Sequence, residues 1–510
     1  MQISSEHRRE AWEVLSDFSG GLNTSYSQEQ IAENELAVCL NMDVDTATGK
    51  LKVVDGNVVV LKPEPSLNLY TMFYDRINSC YIGTAKSGEV YTLKGTDINL
   101  IGTLTGSLSP VYSLWEDGVL IASGGKLQYY NGSNLATLDN SPSQTVFVTT
   151  RQGRVVAVDH SKGNESNIYF SAVGDETSWA NDSNDSSSGQ WVEIGYKDGG
   201  KIVALIPMAQ DLLVVKSNRH AFRLVNNFPD WQVLEVSRNI DCVGRTAFFS
   251  NGDTAYILGR TELHVLQESA FYGDIKTVNA GVKISDRLVD AAGMDDPKII
   301  YVPSYNQLWI PRSERYMLIY DLTVNAWYER RFNGEAVSDV VDVNGTIYLI
   351  RPSTICQVKS RHGYDNGEKM RWRFVAKRFV SNNNYLVKRA EVNIMPFFDN
   401  LEEGNFKIGA VMIALPHPYI SLRLWHNYSR LYHNRHKIYG TQYRYNLYNT
   451  GEEIYENYEP IYHNYHKLYN PSAIHDGLRC IYRNKTVTIS GSGAAGVFTL
   501  NSISALIAEV

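Results

Sequence analysis

Between about Asn68 and Lys359, apolar and β-branched residues come in short runs, as in Val111–Leu114, Val119–Ala122, Val155–Val158, Leu212–Val215 and Ile347–Ile350. Short alternating or continuous runs bounded by Gly, Asn, Asp and Ser are the pattern of strands, and apolar positions at helical spacing are almost absent. Glu116-Asp117-Gly118, Tyr130-Asn131-Gly132, Ser250-Asn251-Gly252 and Val343-Asn344-Gly345 fall between runs. Each supplies residues that tolerate positive φ, so tight antiparallel hairpins are expected. Blocks of such runs begin near Tyr70, Val111, Val146, Lys201, Val243, Lys298 and Ala336, a spacing of roughly 35 to 55 residues. A four-stranded meander packed on both faces needs about that length, which predicts an all-β fold with a β-propeller of about seven blades over 68–360. Ile319-Tyr320-Asp321-Leu322 with Trp327 shows the unit best. No Trp-Asp or double-glycine signature repeats, and a different all-β arrangement would share these strand statistics.

Beyond Arg361 the runs lengthen: Met370–Val380 and Leu386–Met395, then Ile481–Ile489 and Val497–Ile507. They are expected to form two parts, 361–415 and 476–510, of a C-terminal β-sandwich interrupted by an insertion over 416–475. Of 33 tyrosines, 12 fall in that insertion, where a period of seven is visible. Leu424-Trp425, Leu431-Tyr432, Ile438-Tyr439, Leu447-Tyr448, Ile454-Tyr455, Ile461-Tyr462 and Leu468-Tyr469 mark it, with Asn often three positions after the aliphatic residue. A coiled coil wants two apolar positions per heptad and no Pro460, Pro471 or Gly440, so a ladder-like, non-helical stack is expected rather than an aromatic-lined helix. Dense tyrosine gives stiff, amphipathic contact area suited to self-association, to a recognition surface, or to a ladder that packs only on itself. The two His-x-x-His spacings, His433/His436 and His463/His466, lack supporting Cys and read as surface histidines of the repeat rather than metal ligands.

Composition narrows the function. The chain has 510 residues, 43% apolar and 20% charged, with a formal charge of −7. It is long enough for two to four domains, and its average charge gives no bulk attraction to nucleic acid or an anionic membrane. Five scattered cysteines without a Cys-x-x-Cys pair suggest buried free thiols. The polar start MQISSEHRREAWEVL lacks the apolar stretch of a secretory signal, so synthesis in a cytoplasm is expected.

No phosphate-binding loop, nucleophile elbow, His-Glu-x-x-His or dinucleotide fingerprint occurs, so an enzyme is not expected and no cofactor is implied. Ser171 to Trp179 approaches a sialidase-type box with Asp and Gly in the wrong order, and it occurs once. Asp182 to Gly189 resembles a calcium loop only superficially, with glycine eighth where an EF-hand needs it sixth.

Phe18-Ser19-Gly20-Gly21-Leu22-Asn23, then Ile31, Asn34-Glu35, Asn41-Met42-Asp43 and Gly49-Lys50-Leu51, resembles the leading segment of podophage tail proteins of the tubular protein B or nozzle type. Ile168-Tyr169-Phe170-Ser171, Trp179, Asp198-Gly199-Gly200-Lys201-Ile202 and Leu212–Lys216 are similar to the middle of that family's propeller. The resemblance implies an N-terminal arm and platform segment over 1–67, with Phe18, Gly20, Gly21, Leu22, Asn23, Asn34, Asn41 and Gly49 in structural roles. It implies a virion protein of the phage tail: a homo-hexameric ring that docks to a tail adaptor, carries fibres or spikes, gates release of genomic double-stranded DNA through its lumen and can meet the host cell surface. The major groove alone is ~12 Å wide, so duplex needs the hole of a ring of copies rather than the axis of one propeller. Trp425, Tyr432, Tyr439, Tyr448, Tyr455, Tyr462 and Tyr469 are the candidate gate or tip contacts. A monomeric propeller binding glycan or another ligand is the alternative.

Overall fold

A computed structural model describes residues 10–396 apart from 183–184, 210, 227–229, 269–274 and 361, and then strand segments between 403 and 494 and residues 498–509. Strand predominates among the described residues, which hold a single short α-helix, Ser285–Ala292. The chain folds as two compact units: one of residues 58–322 and 332–358, the other of 1–57, 323–331 and 359–510.

Successive side chains of a strand point to opposite faces, so a strand apolar at every position needs a partner on each face. Gly118–Ala122 is buried throughout. Val119 and Ile121 join a core cluster with Ile82 and Val90, while Leu120 and Ala122 join another with Val148 and Val155. This arrangement recurs through the larger unit. Its first sheet is Leu69–Asp75, Cys80–Ala85, Glu89–Lys94 and Asp97–Thr103, and its second is Val111–Trp115, Gly118–Ala122, Gln128–Tyr130 and Leu135–Thr137. The third is Thr145–Arg151, Arg154–Asp159, Asn167–Phe170 and Gln190–Glu193, and the fourth Ile202–Pro207, Leu212–Lys216, Ala221–Val225 and Gln232–Ser237. The fifth is Phe248–Ser250, Thr254–Leu258, Leu263–Glu268 and Ile275–Asn279. Ile300–Val302, Gln307–Ser313 and Tyr316–Asp321 follow as the sixth set. In the seventh, Asp339–Val343, Thr346–Ile350 and Ile355–Lys359 take in Gly56–Leu61 from far earlier in the chain.

Each sheet packs on the next. Val156, Val158 and Phe170 of the third meet Leu212, Val214 and Leu224 of the fourth. Leu213 and Val215 on the other face of the fourth meet Ala255, Ile257 and Leu266 of the fifth. Phe249 stacks on Tyr301 at 4.2 Å, joining fifth to sixth, and the Ser304 amide donates to Asp342 at 2.6 Å, joining sixth to seventh. Ile350 and Ile355 of the seventh pack with Leu69, Met72 and Leu93 of the first, so the sequence of sheets closes on itself. The first strands lie against one another from sheet to sheet, whereas last strands such as Asp97–Thr103 and Gln232–Ser237 are largely exposed.

The other unit is built on long strands. Where two runs were expected around Val380 and Leu386, a single strand, Arg371–Pro396, continues through, and its register slips between Val380 and Tyr385. Its first part pairs with Cys480–Ala494 and its second with Phe498–Glu509. Glu35–Leu40 pairs along the first part, and Glu10–Leu15 pairs with the last strand. Trp372, Phe374, Phe406 and Phe498 make the core, with Trp372 and Phe498 edge-on at 4.9 Å.

Candidate functional site

The N-terminal motif residues are built into this second core. Phe18 is fully buried and meets the Phe374 ring edge-on at 6.3 Å. Gly20 and Gly21 pass where a Cβ would lie 2.7 Å from the Glu35 side chain and from the Trp327 carbonyl respectively, and Gly21 has φ +64°. A side chain fits at neither place. Leu22 is buried, and the Asn23 amide group donates to Glu35 Oε2 at 2.8 Å. Asn34 Nδ2 donates to Ser19 Oγ at 3.2 Å, and the Gly49 carbonyl accepts from the Phe18 amide at 3.1 Å. Asn41 is the node: buried, with φ 53°, it donates through Nδ2 to the Arg371 carbonyl and accepts at Oδ1 from the Arg331 amide, each at 2.7 Å. Asparagine is among the few side chains that accept this backbone conformation. All eight motif residues therefore lie in one unit, in structural positions.

Where the first strands of the sheets begin, the larger unit holds a set of partly and fully buried polar groups, Tyr70, Arg245, Lys298 and Asp339, which sequence reasoning missed. Arg245 leads into the fifth sheet, yet Nη1 donates to the Val146 carbonyl at 2.8 Å and Nη2 to the Ser109 carbonyl, at the starts of the third and second sheets. One guanidinium thus spans the middle of the unit. Burial holds it below the usual arginine range, against the pull of Asp296. Burial also pushes the Tyr70 hydroxyl up. Asp339 accepts from the Met72 amide at 2.9 Å and lies 3.7 Å from Lys298, and burial raises its carboxyl above the usual range. These groups bridge sheets; no nucleophile stands beside a base among them.

A separate pocket of about 260 Å³ opens between the fourth and fifth sheets, lined by Ser217, Arg219, Asp241, Arg260, Thr261, Glu262 and His264. His264 forms its buried floor: Nε2 accepts from the Asp241 amide at 3.3 Å, and Nδ1 lies 3.4 Å from Glu262 Oε2. Burial depresses the basicity of this imidazole, despite Glu262 and Asp241. Nearby, the fully buried Lys216 donates to Ser166 Oγ at 3.0 Å, to the Ile194 carbonyl at 2.7 Å and to Asp198.

In the loop that imitates a calcium site, Arg154 Nη1 and Nη2 take the carbonyls of Ser171, Ser188 and Ser186 at 2.5 to 2.6 Å, so a guanidinium uses the oxygens a cation would need. Cys39, Cys80, Cys242 and Cys356 are free, and burial pushes the Cys242 thiol up to about 12, leaving it unreactive. Among the described residues no group of three metal-ligating side chains comes together.

The described residues of the insertion are short strand segments. Trp425 pairs with Arg430, Tyr432 with Lys437 and Tyr462 with Lys467, and inside each pair His426 faces Ser429, His433 faces His436 and His463 faces His466 in register. At these three places one seven-residue step of the sequence coincides with one short hairpin. Tyr439 pairs with Asn446 and Tyr455 with Tyr445. Tyr448 and Tyr469 lie outside the described residues.

No protein-family model matches the chain, and no curated protein matches it. Solved structures with similarity include PorZ, an essential bacterial surface component of the type-IX secretion system of Porphyromonas gingivalis, at 10% identity and a TM-score of 0.39, covering 62% of this chain and 42% of PorZ. A chain from the S. cerevisiae structure of Dbp5 bound to Nup159, Gle1, IP6 and ADP matches at 10% identity and a TM-score of 0.37, over 60% of this chain and 95% of that one. This chain spans about two fifths of the length of PorZ. Among the described residues no helix is long and apolar enough to cross a membrane.

Proposed function

We propose that this chain is a non-enzymatic virion protein, the tail nozzle of a short-tailed bacteriophage, that its seven successive sheets are the blades of a β-propeller, and that its other unit contains a C-terminal β-sandwich. The observation that carries the reading is the N-terminal constellation: the residues by which the chain resembles that family, from Phe18 to Gly49, all serve the packing and turns of one unit, with Phe18, Leu22, Asn23 and Asn41 buried there. The closed order of sheets, with Gly56–Leu61 completing the last one, supports the propeller. A strand from the start of the chain in the final blade fastens such a ring.

Arg245 bears on how DNA would pass. Its bonds to carbonyls at the starts of the second and third sheets carry it across the middle of the ring. A conduit for duplex therefore lies between copies, and assembly is a condition of function. In this reading the nozzle is a homo-hexamer that binds a tail adaptor and fibres or spikes, while the 416–475 insertion lies at the gate or the tip. Native mass spectrometry of the purified protein, alone and with the adaptor, tests it. Hexamers support the nozzle; monomers under both conditions favour the ligand-binding propeller instead.

A further inference from the structure

The pocket between the fourth and fifth sheets has a composition that selects its ligand. Ser217 and Arg219 lie in the turn between Leu212–Lys216 and Ala221–Val225, and Arg260, Thr261 and Glu262 in the equivalent turn of the next sheet. Two neighbouring hairpins thus form its walls, and the buried His264 its floor. Arg219 adopts φ 72°, a left-handed conformation that costs a residue with a Cβ energy. No hydrogen bond or ion pair of its guanidinium is found among the described residues, and its charge adds to the burial that lowers the basicity of His264. Arg260 is already turned toward Asp241, at 3.6 Å. The pocket therefore offers one uncommitted guanidinium.

Opposite it stand acceptors. Asp241 uses Oδ2 for the Arg260 amide at 3.3 Å, and Glu262 turns Oε2 to His264, which leaves one oxygen of each carboxylate open. His264 is held neutral, because Nε2 accepts from a backbone amide and burial opposes its protonation. One positive fork, two carboxylate acceptors and two hydroxyls suit a ligand with a single carboxylate and several hydroxyl donors. A phosphate brings about two charges to one free guanidinium, and Asp241 and Glu262 repel it about twice as strongly as they repel a single carboxylate. A neutral sugar would leave Arg219 unmatched and finds no Trp, Tyr or Phe in the lining to stack on. We propose that this pocket binds an acidic monosaccharide unit of the uronate type, its carboxylate on Arg219 and its hydroxyls on Asp241, Glu262, Ser217 and Thr261. The proposal does not rest on the tail reading, since the pocket lies wholly within one copy.

The test is titration of the full-length protein with D-glucuronate, D-glucose and inorganic phosphate, followed by saturation-transfer NMR and calorimetry. Glucuronate should bind saturably, glucose and phosphate at least tenfold more weakly. Arg219→Met, at an exposed position, should weaken glucuronate at least tenfold while leaving the circular dichroism and melting temperature unchanged, and Glu262→Gln should weaken it severalfold. Lys162→Met, on the corresponding turn of the third sheet, should change nothing. Equal binding of glucuronate and glucose, phosphate binding as tightly as glucuronate, or full binding by Arg219→Met would each overturn the assignment. Hexamer formation plays no part in these outcomes, so their failure is separate from failure of the nozzle reading.

Discussion

The ring of sheets and the 416–475 insertion repeat in opposite ways. In the ring the structure recurs from sheet to sheet while no residue pattern does: the second strand reads GVLIA in one sheet and LLVVK in another, and both are buried at every position. In the insertion the sequence recurs every seven residues, and at three of its described steps what recurs in space is a hairpin with two paired residues on each side, while the strands between them join a small sheet. A packed sheet accepts any side chains that fill the space between its neighbours, so selection acts on apolarity and turn chemistry and erases identity. A hairpin of that size has no core to fill, and only its residue chemistry can be repeated.

The sharpest way to break this contrast is to empty the ring's interior. Phe170→Ala, inside the cluster shared by the third and fourth sheets, should cost about 3–5 kcal/mol in denaturant unfolding. Lys216→Met should cost a similar amount, about 3–5 kcal/mol, because it strands the Asp198 carboxylate and two carbonyls that the ammonium now satisfies. A shift in midpoint below a fifth of that would mean that the sheets do not share a core. In the other unit, Asn41→Ala loses two buried hydrogen bonds and keeps an unfavourable φ, for about 2–4 kcal/mol. Asn41→Gly relieves only the backbone part, and recovery of full stability by that variant would show that the amide bonds contribute nothing.

A smaller effect is expected from pH. Burial lowers the basicity of His160 and His264 in the folded chain below the ordinary value of 6.5. The unfolded chain then takes up protons first as pH falls. Their contribution is complete above about 6.5 and is lost as pH drops below it, toward the depressed folded values. Replacing both with Gln should flatten the stability profile between pH 6.5 and 5, and an unaltered slope would assign the loss to other groups. The smallest effect is predicted for deleting Trp425–Tyr469: none of the described core clusters of the ring draws on that segment, so the ring's melting should not move. In particles, the same deletion should leak DNA if the insertion is the gate; unchanged retention removes it from that role.

Much of the ring was legible in the sequence, since strand runs such as Val119–Ala122 and turns such as Asn344-Gly345 carry local signals that survive in the fold. Gly21 and Asn41 were legible only through resemblance, and the structure supplies the reason, a positive φ at each. Arg245 and Arg219 carried no signal. One acts on carbonyls more than ninety positions away in the chain, and the other stands out through a backbone angle that sequence does not display. The heptad showed its period but not its meaning. Some described strands pair across a tight turn and others side by side in a small sheet, and which of the two occurs depends on register set by turns that apolar spacing does not encode.

An electron cryomicroscopy map of the assembled protein with its adaptor tests the central claim most directly. The account predicts six copies around a shared opening wide enough for duplex DNA, each containing seven sheets about an axis filled at Arg245. Single copies, or an opening that runs through the axis of one ring of sheets, would contradict it.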